Sequence, residues 1–231
     1  RSVMEEGGGL ADVGTISHNH TLSELRAEGI KSSPIKLSIV FDLKRDSEGK
    51  ISRRKTRVAV RGTKRWVKKG EHYTGDTYAG TPTPASTKIL MALVAKYDLF
   101  MYAADIVKAY CWSEAKHCLI VEYPPFLDRM CPKTGEPLYC CLRRNLYGSP
   151  VAAAEYTAWR DKAFQRMFNQ DGWSCSRSGS DPNVFHCRRE GRNLWAVVYV
   201  DDCDIAAETE QDAKLFVATI HKEWQTKETP A

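Results

Sequence analysis

The hydrophobic pattern from residue 34 onward predicts a mixture of strands and helices. Residues 35–43 alternate apolar with other side chains, which is typical of a strand with one buried face. Residues 45–50 have turn chemistry, so residues 51–61 are predicted to return as the second strand of a hairpin. Further strands are predicted at residues 99–107, 118–123, 137–142, 184–187, 194–200 and 205–207. Helices are predicted at residues 85–97, at residues 152–168, and from a cap at Thr209 to about Trp224.

These elements do not follow a strict βαβ alternation, so the sequence favours an α+β fold with an antiparallel sheet and helices packed on one face. Residues 99–107 are almost all apolar and are expected to be buried on both faces of that sheet. Residues 1–33 are predicted to be a loosely ordered N-terminal segment, with the ordered domain at residues 34–231. His18 and His20 lie in that segment, where a metal site is not favoured.

The composition is that of a globular protein. The chain has 231 residues, of which 42% are hydrophobic and 27% are charged, which excludes a wholly disordered chain, a collagen-like repeat and a coiled-coil rod. We find no apolar run of about 18 residues and no secretory signal, so no membrane association is expected. The eight cysteines form no C-x-x-C pair and are predicted to be reduced, mostly buried thiols of an intracellular protein, without a structural zinc site.

The positive charge is concentrated in the predicted hairpin. Residues 31–70 contain 14 Lys or Arg and 3 Asp or Glu, a net charge of +11, so the rest of the chain carries −6. Lys55, Arg57 and Arg61 are basic residues of the return strand, whose apolar face is formed by Val58 and Val60. This asymmetry indicates binding to a polyanion, and a solvated lysine-rich hairpin is the alternative.

Acidic residues follow two predicted strands. Residues 99–104 lead into Asp105, and residues 194–200 lead into Asp201 and Asp202. A buried carboxylate is unfavourable unless it is paired or bound to a metal. Three carboxylates from neighbouring strands would form the oxygen-rich site that Mg²⁺ prefers. Asp105 alone, or the Asp201-Asp202 pair alone, is more typical of solvated turn residues than of a metal site.

Six segments together resemble a known family. The tetrapeptide Tyr199-Val200-Asp201-Asp202 is the Y-V-D-D box of reverse transcriptases. Residues 105–110 resemble the D-V-K-x-A-F/Y box of copia-type retrotransposon reverse transcriptases, and residues 146–148 their L-Y-G box. The other matches, in the family's order, are residues 41–49 with 54–62, residues 124–126 and residues 180–185. The resemblance extends over about residues 35–208.

The resemblance implies a reverse-transcriptase-like palm plus a basic β-hairpin fingers region. About residues 34–98 and 111–160 would be fingers-like, and the rest would be palm. The function implied is that of an RNA-directed DNA polymerase, a nucleotidyltransferase that uses two metal ions. The catalytic and metal-binding residues would be Asp105, Asp201 and Asp202. The nucleotide-binding residues would be Lys55, Arg57, Arg61, Ile106 and Tyr110. The residues beside primer and template would be Tyr147, Gly148, Tyr199 and Val200.

Tyr110 has a specific role in this resemblance. An aromatic ring five residues after Asp105 would lie under the sugar of the incoming nucleotide and crowd a 2′-hydroxyl, the group that distinguishes RNA from DNA precursors. The alternative is an ordinary core tyrosine near the end of a strand.

The cofactors implied are two Mg²⁺ ions, or Mn²⁺ in their place. The partners implied are an RNA template, a DNA primer, deoxynucleoside triphosphates and the rest of a Pol polyprotein, with integrase upstream and ribonuclease H downstream. The expected location is cytoplasmic, in a virus-like particle, with a nuclear phase.

Departures from the family pattern leave other hypotheses open. The family continues L-Y-G with L-K-Q-A-P-R-A-W, but here the Gln is absent and the spacing to Trp159 is longer. Asp204 adds a charge after the Y-V-D-D box, and the chain ends about 30 residues later, so the thumb and ribonuclease H regions are expected to be absent. A decayed remnant that binds nucleic acid is therefore one alternative. A metal-dependent phosphohydrolase is another, which explains the acids but not the ordered boxes.

Overall fold

A computed structural model of the protein describes residues 2–12, 14–123, 129–168, 172–224 and 226–230. The helices are α1 (Ser2–Asp12), α2 (Leu22–Ala27), α3 (Pro84–Tyr97), α4 (Ala152–Phe168) and α5 (Glu210–Glu223). The first strands are β1 (Ile16–His20), β2 (Ile35–Arg45), β3 (Ile51–Val60), β4 (Phe100–Ile106), β5 (Glu114–Glu122) and β6 (Tyr139–Arg144). The remaining strands are β7 (Ser174–Arg177), β8 (Val184–Arg189), β9 (Arg192–Val198), β10 (Asp202–Ala207) and β11 (Thr226–Pro230). The mixture confirms the α+β class. The predicted box at residues 124–126 lies outside the described residues.

The chain folds into two compact units. The first unit comprises Arg1–Tyr78 and Tyr110–Tyr156, and the second comprises Ala79–Ala109 and Thr157–Ala231. Helix α3 belongs to the second unit.

The first unit is built on a sheet with the strand order β1-β6-β5-β2-β3. The predicted hairpin is present, with β2 and β3 antiparallel from Leu37 opposite Val60 to Arg45 opposite Ile51. One pair departs from the antiparallel expectation, because β2 runs parallel to β5 at Ile35. The core of this unit is formed by buried side chains that include Leu10, Ile35, Val58, Val60, Leu119, Val121, Leu142 and Leu146.

The N-terminal residues are more ordered than their sequence predicts. Helix α1, strand β1 and helix α2 lie within the segment expected to be loose. Leu10 of α1 is buried in the core of the first unit, and Thr21 caps α2 with a capping box to Glu24. The burial of Leu10 is a tertiary effect, which the local run of glycines does not reveal.

The second unit is built on an antiparallel sheet with the strand order β11-β4-β10-β9-β8-β7. Val197 of β9 packs in one cluster with Leu90 of α3. On the other face, Phe185 of β8 stacks on Phe164 of α4, with ring centroids 5.2 Å apart. Helices therefore cover both faces, and the prediction of helices on one face is wrong. The reason is that β9 is apolar at successive positions, so both of its faces need cover.

Two further expectations are corrected. Phe100 at the start of β4 is 46% exposed, so this strand is not buried on both faces along its whole length. Disulfides join Cys118 to Cys141 and Cys175 to Cys187, so the prediction that all the cysteines are reduced is wrong for these four. Cys111, Cys131, Cys140 and Cys203 are not part of a disulfide. Within the described part of the chain, we find no helix with the length and apolar character needed to span a membrane.

Candidate active site

The register of the second sheet brings the three predicted acids to one end of it. Asp105 is the penultimate residue of β4, and Asp202 is the first residue of β10. These two strands are antiparallel, with Asp202 directly opposite Asp105. Asp201 lies in the turn that precedes β10, where its carbonyl oxygen accepts a 2.7 Å hydrogen bond from the Ile106 N–H. The backbone thus holds Asp105, Asp201 and Asp202 next to one another.

The acids repel one another electrostatically. Partial burial raises the pKa of Asp202, and the negative charges of Asp201, Asp105 and Asp204 raise it further. Burial alone raises the pKa of Asp204. A divalent cation among these carboxylates would offset the repulsion.

The donor chemistry fits magnesium, although the side chains are not gathered around one point. Across the described ranges, no group of three or more His, Cys, Asp or Glu side chains is placed to hold a metal ion. His18 and His20 are among these described residues and belong to no such group. Carboxylate oxygens are nevertheless the ligands that Mg²⁺ prefers, with waters and phosphates completing its shell. Asp105, Asp201 and Asp202 are therefore suitable in type and backbone position, and ligation requires their side chains to turn toward a common ion.

Tyr199 and Val200 begin the turn that carries the acids. The Tyr199 N–H donates a 2.8 Å hydrogen bond to the Asp202 carbonyl oxygen. The Tyr199 hydroxyl hydrogen-bonds with Thr87 of α3 at 3.0 Å, and its ring packs against the cluster around Leu90. Val200 lies in the turn and is half-buried. Tyr199, predicted to lie beside the primer, is thus also tied to α3.

Arg160 of α4 is a buried cation that the sequence analysis missed. Its side chain donates hydrogen bonds to the Tyr199 carbonyl oxygen at 3.0 Å and to Asn183 Oδ1 at 3.1 Å. It also pairs with Asp161 at 2.9 Å. A signal was present in the sequence: Arg160 shares the helical spacing of the buried residues Ala163, Phe164 and Met167, so it is a charge on an apolar face.

Asp181 of the box at residues 180–185 links two elements of the second unit. Its carboxylate accepts a 2.8 Å hydrogen bond from the Thr83 N–H and another from the Ser86 hydroxyl. These bonds lower the pKa of Asp181, although its burial acts in the opposite direction. The box therefore caps the start of α3 and orients the helix that holds Tyr199.

Ile106 has no side-chain surface to offer a nucleotide. It is the last residue of β4 and only 1% exposed, and its N–H is bonded to the Asp201 carbonyl oxygen. Any contact of the Ile106 side chain with a nucleotide is excluded by this burial, so nucleotide binding at Ile106 stays a prediction, and the contact seen here is the one that anchors the turn.

The predicted basic residues lie in the first unit, on one face of the hairpin. Lys55 and Arg57 occupy alternate positions of β3, and the buried Thr56 and Val58, which follow them in turn, lie on the opposite face. Arg57 Nη1 is 3.9 Å from the carboxylate of Asp42. Beyond the strand, Arg61 Nε donates a 3.1 Å hydrogen bond to the Ser38 hydroxyl. Asp42 thus offsets only part of the positive charge of this face.

Tyr110 and Tyr147 contact each other in the first unit. Tyr110 belongs to a short 3-10 helix, Ala109–Trp112. Its ring meets those of Tyr147 and Tyr156 edge to face, with centroids 5.5 and 5.7 Å apart. Such pairs contribute about 0.5–1.5 kcal/mol each beyond their burial. Tyr110 is half-buried, so packing accounts for part of its surface and leaves part accessible.

Gly148 lies where two backbone segments cross. The Tyr147 carbonyl oxygen accepts a 2.7 Å hydrogen bond from the Val60 N–H. Gly148 has φ +81°, and a Cβ built on it would overlap the Val60 carbonyl oxygen. A Cβ on Gly62 would overlap the Gly148 carbonyl oxygen in turn. The glycine of the L-Y-G box therefore has a structural reason independent of primer or template.

The comparisons with known proteins identify the family of this chain. A family model described as reverse transcriptase (RNA-dependent DNA polymerase) matches residues 24–230. The chain is similar to the retrovirus-related Pol polyprotein from transposon TNT 1-94 of Nicotiana tabacum, with 27% identity over 170 residues. That alignment covers 73% of this chain and 12% of the polyprotein, so the chain spans a small part of its relative. The chain therefore belongs to the reverse transcriptase family, and the predicted resemblance to the copia type is confirmed.

Proposed function

We propose that this chain is the fingers and palm part of an RNA-directed DNA polymerase from a copia-type retrotransposon Pol polyprotein. The observation that carries the proposal is the register that sets Asp202 opposite Asp105 with Asp201 in the adjoining turn. We assign the first unit as fingers and the second as palm. The substrates would be an RNA template, a DNA primer and deoxynucleoside triphosphates, and the other Pol regions would be its partners.

In this proposal the three acids bind the metal ions of the polymerase reaction. Asp105, Asp201 and Asp202 would hold two Mg²⁺ ions, which when bound activate the primer hydroxyl and stabilise the leaving pyrophosphate. The short turn from Tyr199 fixes the two neighbouring acids to one sheet end. The basic face at Lys55, Arg57 and Arg61 would bind phosphates of the template or of the incoming nucleotide. Catalysis would then rest mainly on positioning and on the stabilisation of charge.

The second candidate function is that of a decayed remnant, which binds nucleic acid and does not extend a primer. Two observations favour such a remnant: the Gln that the family has after the L-Y-G box is absent, and Asp204 adds negative charge at the site. Salt-sensitive binding to nucleic acid without primer extension would then be expected.

Template-directed extension distinguishes these functions. The chain would be incubated with an RNA template, a labelled DNA primer, Mg²⁺ and one deoxynucleotide at a time. A polymerase adds a nucleotide only when it complements the next template base. Binding without extension would favour the remnant, and release of phosphate without a template would favour a phosphohydrolase.

Replacing Tyr110 by Val is expected to relax sugar discrimination. Loss of the ring removes the group that would crowd a 2′-hydroxyl, so we expect the ratio of kcat/KM for deoxynucleotide over ribonucleotide to fall about tenfold or more. Single-nucleotide insertion measures this ratio. Tyr110→Phe is the matched control, since it retains the ring and its edge contacts with Tyr147 and Tyr156. An unchanged ratio in a folded Tyr110→Val chain would leave Tyr110 as a packing residue.

Replacing Lys55, Arg57 and Arg61 together by Ala is expected to weaken binding to an RNA–DNA hybrid and to reduce its salt dependence. Each lost phosphate contact should lower the slope of log K against log salt by about 0.7–0.9. Fluorescence anisotropy at several salt concentrations measures both quantities. Lys50→Ala is the control, because Lys50 lies in the hairpin turn beside Glu48 at 2.8 Å. The assignment fails if the triple variant and Lys50→Ala have the same slope.

A further inference from the structure

We propose that Arg160 is a positioning residue that holds the turn carrying Asp201 and Asp202. This inference rests on the proposed function, because it concerns the acids assigned to catalysis there. Arg160 does not itself reach the acids. It acts through the backbone at Tyr199, the residue that opens the turn.

The first contact is direct. Arg160 Nη1 donates a 3.0 Å hydrogen bond to the Tyr199 carbonyl oxygen. The N–H of the same residue is bonded to the carbonyl oxygen of Asp202. Arg160 therefore binds the first residue of the turn, and a hydrogen bond from a charged donor is about twice as strong as a neutral one.

The second contact is indirect and reaches the strand just before the turn. Arg160 Nη2 donates to Asn183 Oδ1 at 3.1 Å. The carbonyl oxygen of Asn183 in turn accepts a 2.9 Å hydrogen bond from the Val198 N–H. One guanidinium thus connects to two consecutive residues of the main chain, Val198 and Tyr199.

The burial of the Arg160 guanidinium has an energetic cost that must be offset by its contacts. Arg160 is 1% exposed, and burial of a charge is unfavourable unless it is paired and hydrogen-bonded. Asp161 supplies the pairing, with its Oδ1 2.9 Å from Arg160 and its Oδ2 2.7 Å from Arg177. An apolar side chain of similar size would fill the space without this cost. Such a side chain would not, however, donate the hydrogen bond to the Tyr199 carbonyl oxygen.

The hydrogen bond from Arg160 to Tyr199 matters because Asp201 and Asp202 must be positioned precisely for catalysis. A catalytic group must be kept within about 0.5 Å of its productive position, and a misplacement of about 1 Å can cost about 100-fold in rate. Loss of the hydrogen bond to the Tyr199 carbonyl oxygen would loosen the turn that carries Asp201 and Asp202. We therefore expect loss of Arg160 to lower kcat about 100-fold, with little change in the Kd for primer–template.

The test compares three variants. Arg160→Met removes every donor and retains the length of the side chain. Arg160→Lys retains the charge and a donor, so it should restore part of the effect and provides a variant if Arg160→Met does not fold. Arg177→Met is the matched control, since it removes the other cation paired with Asp161 and leaves the contact with Tyr199 in place.

Amide hydrogen exchange supplies a measurement independent of activity. The two informative amides are those of Tyr199 and Ile106, which close the turn on Asp202 and Asp201. Arg160→Met should speed exchange at both by about tenfold or more relative to the amides in the middle of β9. Arg177→Met should not. Equal acceleration throughout β9, or none at the turn, would overturn the proposal and leave Arg160 as a general stabiliser.

Kinetics complete the test. In an active chain, a loosened turn with an unchanged kcat would also overturn the proposal. If the parent chain extends no primer, the proposed function fails, while the exchange measurement still decides whether Arg160 holds the turn.

Discussion

Replacing Asp201 by Asn should abolish primer extension and leave the fold intact. The amide has nearly the shape of the carboxylate, and Asp201 is exposed in its turn, so the substitution disturbs no core packing. It removes one of the charges that raise the pKa of Asp202, so less repulsion remains in the folded state. The loss of a metal ligand is expected to cost several kcal/mol of transition-state stabilisation, or about 1000-fold or more in rate.

The control for Asp201→Asn is Asp204→Asn. Asp204 also contributes negative charge at Asp202, but the family resemblance assigns it no metal. If the acids act as specific ligands, Asp204→Asn should retain most of the rate. If only total negative charge matters, the two variants should behave alike.

Single-turnover extension and thermal melting, measured on both variants, separate chemistry from stability. An Asp201→Asn chain that extends primers at the parental rate would contradict the assignment of the acids and, with it, the proposed two-metal reaction.

The sequence was sufficient wherever a local pattern determined the structure. The hairpin of β2 and β3 follows from strict alternation and a polar turn, and its observed bounds agree with the predicted ones within about two residues. Helix α4 has the predicted bounds. The acids were found because two strands end in carboxylates within recognisable boxes, and the register then set Asp202 opposite Asp105.

Contacts between residues far apart in the sequence could not be predicted from local patterns. Arg160 lies 39 residues before the carbonyl that it holds, and no periodicity links the two. The pairing of Cys175 with Cys187 depends on the register of β7 and β8. The order of α1 depends on the burial of Leu10 in the core of the first unit. In each case, tertiary packing decides the outcome and local propensity does not.

Replacing Gly148 by Ala is expected to destabilise the first unit by about 2–5 kcal/mol. Two costs combine: a positive φ penalises any Cβ by about 1–2 kcal/mol, and the Cβ would overlap the Val60 carbonyl oxygen, with overpacking typically costing about 1–3 kcal/mol. Backbone atoms form the contact, so no side chain can move aside. Urea unfolding of the parent and the variant measures the difference.

Two other glycines separate these costs. Gly49 has φ +80° with no atom within 4 Å of a built Cβ, so Gly49→Ala should show the conformational penalty alone. Gly62 is not in the positive-φ region but would overlap the Gly148 carbonyl oxygen, so Gly62→Ala should show the steric penalty alone. If Gly148→Ala lowers the free energy of unfolding no more than Gly49→Ala does, the close approach to the Val60 carbonyl oxygen does not explain the glycine at position 148. A variant that stays folded yet binds primer–template poorly would instead support the contact with nucleic acid that the L-Y-G box implies.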